Sequence, residues 1–181
     1  MNKKYVNKTE DISAAAQNPT TKKYEELDNL LGFTTPEIEP GIEEIKGYSG
    51  MTGSFELPEW LNIGNLELVL TFSTIPENAH LIMNPKRVAV KLNWGESYVN
   101  GNTGELEYDS YAAYASGFPK NIPGSEKKKG EKSENEFKIS CSTYELIKNG
   151  TTIVKYDPLN AQICINGKNY ADELKGAMTK Y

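Results

Sequence analysis

The segment Leu66-Glu67-Leu68-Val69-Leu70-Thr71-Phe72 places Leu66, Leu68, Leu70 and Phe72 at every second position, and this alternation returns repeatedly along the chain. Successive side chains of a strand point to opposite faces, so the period marks a strand with one face buried. Val88, Val90, Leu92 and Trp94 repeat the pattern, and Asn100-Gly101-Asn102-Thr103-Gly104 supplies residues that tolerate positive φ in a hairpin turn. The return strand is expected from Glu105 to Ser116, where Tyr108, Tyr111 and Tyr114 make both faces partly apolar. Phe137, Ile139 and Cys141 open a strand that continues through Tyr144 and Leu146 to a turn at Lys148-Asn149-Gly150, with residues 151–156 as its hairpin partner. A corner at Asp157-Pro158-Leu159, a strand over residues 161–165 and a turn at Asn166-Gly167 close the series.

The remaining segments carry weaker signals. Residues 1–23 are polar and without a sustained period, so they are read as a polar N-terminal arm, irregular alone and ordering on contact with a neighbour. Residues 24–181 are read as one domain. Tyr24 to Gly32 is expected as a short helix or strand that Gly32 ends, and Pro36 and Pro40 exclude a continuous helix over the extended pieces that follow. Ser54-Phe55-Glu56-Leu57 is expected as a strand stopping at Pro58. Pro76 suits a first helical turn and Asn84-Pro85 a stop, which predicts a short helix over residues 76–83. Residues 118–134 form a polar, lysine-rich connection. Many hairpin-linked strands with one or two short α-helices predict a mainly β protein, a β-sandwich or partly closed barrel.

At 181 residues, 38% of them hydrophobic and 25% charged, the chain can bury one ordinary core without metal or disulfide staples. The net charge is -5, and Arg87 is the only arginine beside many lysines. Specific recognition of phosphates and base edges leans on arginine's planar fork, so nucleic-acid binding is disfavoured. No apolar run approaches the roughly 20 residues a membrane helix needs, and the opening residues lack a signal peptide's apolar centre, which predicts synthesis in a cytoplasm and no membrane insertion. Cys141 and Cys164 stand singly in strand-like segments and are expected as reduced, packed thiols.

Catalytic chemistry finds no foothold. His80 is the only histidine, so His-pair metal sites are excluded. Gly47, Gly50 and Gly53 lack the Lys-Ser/Thr of a phosphate loop, and Asn100, Asn102 and Glu105 lack the carboxylate set of a calcium loop. Two rival classes remain: a carbohydrate-binding β-sandwich using Trp60, Tyr98 and Tyr111 as a sugar platform, and a small hydrolase built on scattered carboxylates. Neither has a motif. No enzyme activity, cofactor or metal is expected.

From Pro36 to Met178 the chain resembles the phage major tail tube protein family of contractile tails, in the version from Gram-positive phages and prophage elements. Residues 42–56 are similar to the family's charged strand, glycine-rich loop and next strand. The strand at Leu66, the short helix from Pro76, the strand from Val88 and the hairpin at Asn100 follow in the family's order. Residues 144–150, 155–160 and 165–174 resemble its two closing hairpins and short C-terminal helix.

The resemblance implies a structural protomer whose edge strands complete a hexameric ring, with rings stacking into a hollow tube. Implied partners are further copies of the chain, a tail sheath, baseplate and tail terminator proteins, and DNA only in transit. A phage-tail-like bacteriocin or other injection particle is the alternative setting. Two sets of residues are expected to serve assembly. The loop Gly47, Tyr48, Ser49, Gly50, Met51, Thr52 and Gly53 is the candidate for contact with the adjoining ring, because glycines let backbones approach closely. Glu105, Glu107 and Asp109 are the candidate lumen-facing acids, repelling phosphates that would otherwise slow passage.

Overall fold

The computed structural model describes residues 3–47, 52–124, 126 and 128–172. Among the described residues the chain is mainly β, in twelve strands: β1 (Lys4–Gln17), β2 (Tyr24–Glu26), β3 (Leu30–Thr34), β4 (Pro40–Ile45), β5 (Phe55–Ile63), β6 (Leu66–Phe72), β7 (Val88–Asn100), β8 (Leu106–Pro119), β9 (Asn135–Lys148), β10 (Thr151–Asp157), β11 (Gln162–Ile165) and β12 (Lys168–Asn169). The main sheet runs β12-β11-β10-β9-β8-β7-β1-β2, every pairing antiparallel. β3 and β6 pair with each other, and β6 pairs with the first half of β9. β4 and β5 form a separate two-stranded ribbon. The sheets stay open and do not close into a barrel.

β9 makes this arrangement possible because it serves both layers. Its residues Asn135 to Cys141 pair with β6, and Tyr144 to Lys148 pair with β10. The changeover coincides with a bulge: Ser116 of β8 pairs with Thr143 but Gly117 pairs with Cys141, so β9 carries one extra residue there. Bulges bend a strand and let it switch sheets. A Cβ on Gly117 would overlap the carbonyl of Ser140, so only glycine allows the backbones to cross this closely.

The core lies between the β3–β6–β9 layer and the main sheet. Leu66, Leu68, Leu70 and Phe72 all point inward and are fully buried, as their period requires. They meet Ala14 and Ala16 of β1, Val88, Val90 and Leu92 of β7, Ala113 and Ala115 of β8, and Phe137 and Ile139 of β9. Phe72 and Phe137 meet edge to face with ring centroids 5.4 Å apart. Burying each of the leucines contributes about 2 kcal/mol relative to exposure. The alanines of β1 and β8 leave room for the large side chains of β6 opposite.

Several local expectations need correction. Residues 4–17 are not an irregular arm. They form the long strand β1, paired with β7 from Lys4 to Ala16, and Ala14 and Ala16 are buried in the core. The segment lacks a clear period because two register shifts, between Tyr5 and Lys8 and between Thr9 and Asp11, interrupt its alternation. Gly32 does not end an element but lies inside β3 beside another register shift. Pro58 does not end β5, which runs on to Ile63, because a two-stranded ribbon leaves every position with one unpaired side. The helix expected at residues 76–83 is a single 3-10 turn, Ala79–Leu81, that plugs the core with Ala79, Leu81 and Ile82. The eight residues from Pro76 to Met83 are too few for an α-helix to hold by itself. Pro158–Asn160 is a second 3-10 turn, capped by the Asp157 carboxylate. Ala171 and Asp172 have helical backbone, and the rest of the expected C-terminal helix, residues 173–174, lies outside the described residues.

Candidate assembly interface

Beyond the reach of β3 and β6, strands β1, β7 and β8 continue as a blade toward the Asn100 turn. Along its inward face the composition changes from apolar to polar. After Leu92 come Trp94, Glu96 and Tyr98 on β7, opposite Tyr111, Asp109 and Glu107 on β8, and Asn100 ends β7. Trp94 stacks flat on Tyr111, centroids 5.0 Å apart with 3° between the planes, and meets Phe33 of β3 edge to face. These rings close the apolar core.

The polar part is a network with Asp109 at its centre. The Asp109 carboxylate accepts from Lys4 Nζ at 2.5 Å, from Lys148 Nζ at 2.9 Å and from Asn149 Nδ2 at 2.9 Å. Lys4 also lies 3.8 Å above the Tyr98 ring, and Lys148 lies 4.9 Å from the Tyr111 centroid. Tyr98 Oη and Asn100 Nδ2 both donate to Glu107, at 2.6 and 2.7 Å. Burial, with only 5% of Asp109 exposed, pushes its carboxyl up, but the donors from Lys4, Asn149 and Lys148 outweigh this and hold it at about 2. The bonds from Tyr98 and Asn100 likewise lower Glu107. Tyr111 and Asp109 raise Lys148, and Asp109 raises Lys4. The network ties β1, β8 and the end of β9 together.

Two main-chain edges of the blade carry no neighbouring strand among the described residues. β2 pairs with β1 only over Ala15 to Gln17, which leaves the outer edge of β1 open from Lys4 to Ser13. β9 pairs with β8 only from Tyr111 onward, which leaves β8 open from Leu106 to Asp109. Asn149 marks the limit: its N–H donates to the Ser110 carbonyl at 2.8 Å, and its Oδ1 accepts from the Ser110 N–H at 2.8 Å. The open edges lie on opposite sides of the blade and at the same end. The outer face between them shows Tyr5, Leu106 and Tyr108, the last of them 66% exposed.

The residues expected to serve assembly fall in two places. Gly47 and Gly53 have positive φ (78° and 146°) at the tip of the β4–β5 ribbon, with Thr52 exposed beside them. Tyr48, Ser49, Gly50 and Met51 lie outside the described residues. Glu105 is exposed just before β8, whereas Glu107 and Asp109 share the blade's inward face and are engaged within the chain. The three rings of the sugar-platform alternative do not form a common face: Tyr98 is buried, Tyr111 lies under Trp94 and Trp60 stands on the separate ribbon.

The family model of phage tail tube protein FII matches residues 24–178. The chain belongs to the phage tail tube protein FII family. It is therefore a structural, non-enzymatic tail tube protein of a phage or phage-tail-like particle. The family match starts at Tyr24, the first residue of β2, so β1 lies outside it. Three solved structures are similar to this tail tube protein. A chain of the sheath-tube complex of an extracellular contractile injection system, PVC, in its extended state is 12% identical, with 75% of this chain and 87% of that chain covered and a TM-score of 0.48. A chain of the sheath/tube terminator of that system is 12% identical, with 75% and 92% covered and a TM-score of 0.45. A chain of the anti-feeding prophage (AFP) baseplate is 8% identical, with 75% and 91% covered and a TM-score of 0.44. No curated protein matches the tail tube chain.

Sequence reasoning missed Lys4, Lys148 and Asn149, whose roles depend on meeting Asp109 across 105, 39 and 40 positions. One signal was available. Asp109 shares the parity of Tyr111, Ala113 and Ala115, so alternation already placed it on the inward face, where a carboxylate needs cationic partners.

Proposed function

We propose that copies of this chain close into hexameric rings through main-chain pairing between the open edge of β1 in one copy and that of β8 in the next. The observation that carries this reading is the pair of open edges on opposite sides of one blade. Exposed strand edges invite pairing, and a head-to-tail contact that uses two different edges generates a ring when its rotation closes. The Asp109 network holds both edge strands of the blade in a fixed relation, so the protomer meets its neighbours already shaped.

Stacked rings form a hollow tube inside a contractile sheath, joined to a baseplate at one end and a terminator at the other, and DNA passes through it on ejection. The β4–β5 ribbon with its glycine loop reaches the adjoining ring. Glu105 is the acid left free to face the lumen, and the net charge of -5 with a single arginine keeps passing phosphates from being held. Particles of this kind, carried by Gram-positive phages or prophage elements, are assembled in the host cytoplasm and released by lysis. Negative-stain microscopy of the purified chain tests the reading: hollow rings or tubes support it, and particles of protomer size alone at every concentration refute it.

A further inference from the structure

Arg87, the only arginine, is held on the exposed face of the main sheet just before β7. Its Nη2 donates to Ser116 Oγ at 2.7 Å and to Thr143 Oγ1 at 3.4 Å, which fixes the guanidinium across β8 and β9. A concavity of about 300 Å³ opens beside it, lined by Gln17, Lys22, Val88 and Ser116. Lys23 and Lys86 are the chain neighbours of Lys22 and Arg87. Among the described residues none of these four cations is paired with a carboxylate.

The β4–β5 ribbon has the opposite character. It carries Glu43, Glu44, Glu56 and Glu59 against Lys46, which pairs with Glu44 at 2.9 Å; Glu56 stands directly opposite Glu44 and, among the described residues, has no cation of its own. Ile42, Phe55, Leu57 and Trp60 are all exposed on it. A two-stranded ribbon exposed on both faces is marginal in water by itself. Acidic and apolar together, it pairs with no other strand among the described residues, and only its end at Ile63 packs against the core.

We infer that the Arg87 concavity is the seat for the acidic ribbon of a second copy, with the ribbon's glutamates on the guanidinium and on Lys22. Only Nη2 of the fork is engaged, which leaves Nη1 and Nε as donors for a carboxylate. Ribbon apolar groups leave water in the same step. This inference rests on the self-assembly proposed above and names the surface that receives the ribbon. It makes the contact salt-sensitive, because both sides are exposed.

A charge swap tests it. Arg87→Glu and Glu56→Arg, each made alone in the full chain, are expected to lower the pelletable, tube-forming fraction about tenfold or more. Thermal melts should move only slightly, since both side chains are exposed and each change removes or relieves only surface contacts. The double variant R87E/E56R is expected to recover most of the assembly. If wild-type protein forms tubes while R87E does so equally well, or while the folded double variant is as defective as the singles, the inference is overturned and the tube reading stands. If wild-type protein forms no assembly at any salt, the tube reading fails and takes this inference with it.

Discussion

Asp109 of β8 and Lys148 of β9 meet at 2.9 Å across the point where β9 stops pairing with β8, and the same carboxylate holds Lys4 of β1 at 2.5 Å. One buried anion thus joins a strand that the family match leaves out to two that it contains.

Replacing this anion should therefore loosen the blade. Asp109→Asn keeps the shape but leaves two lysines facing a neutral group, at an expected cost of about 1–3 kcal/mol at pH 7. The carboxyl titrates at about 2 in the fold and near 3.8 when free. A depressed folded value gives stability that is complete above about pH 4 and is lost as pH falls through 2. Denaturant titrations should show the gap between wild type and D109N narrowing between pH 5 and pH 2, and a constant gap would contradict this.

Tyr108 is 66% exposed on the face between the two open edges. Tyr108→Glu should leave folding stability within about 0.5 kcal/mol, as surface changes do. Rings should nevertheless be lost in size-exclusion chromatography with light scattering. Rings of wild-type abundance would remove this face from the interface.

Gly117→Ala probes the crossing of β8 and β9. The added methyl meets the Ser140 carbonyl and the Cys141 backbone, so the strands must separate. The expected loss is about 1–3 kcal/mol in chemical denaturation. A neutral effect would mean that the bulge relaxes freely.

Deleting the segment from Gly47 to Gly53 and closing β4 to β5 with a two-residue turn should leave soluble rings but no long tubes in electron micrographs. Tubes of ordinary length would show that ring contact is made elsewhere.

The strands were legible wherever side chains alternate against one core. Leu66 to Phe72, Val88 to Trp94 and Phe137 to Cys141 all lie where period two placed them. The alternation fails in β1 because its two register shifts offset the pattern, and only pairing with β7 shows the strand. Pro58 and Gly32 misled for a related reason: each breaks a central strand but is tolerated in a ribbon or beside a bulge. The 3-10 turn at Ala79 was mistaken for a helix because a proline start and a proline stop mark the ends of a segment, not its winding. The candidate interface was least legible. Open edges are a property of which strands end early, and nothing local to Lys4 or Leu106 records that.

The most direct measurement is cryo-electron microscopy of the purified full-length chain at high concentration. The account predicts hollow six-fold tubes in which β1 of each protomer runs beside β8 of its neighbour, with the Asp109 network intact in every copy. Tubes whose protomers meet through other elements, or protein that stays monomeric throughout, would contradict it.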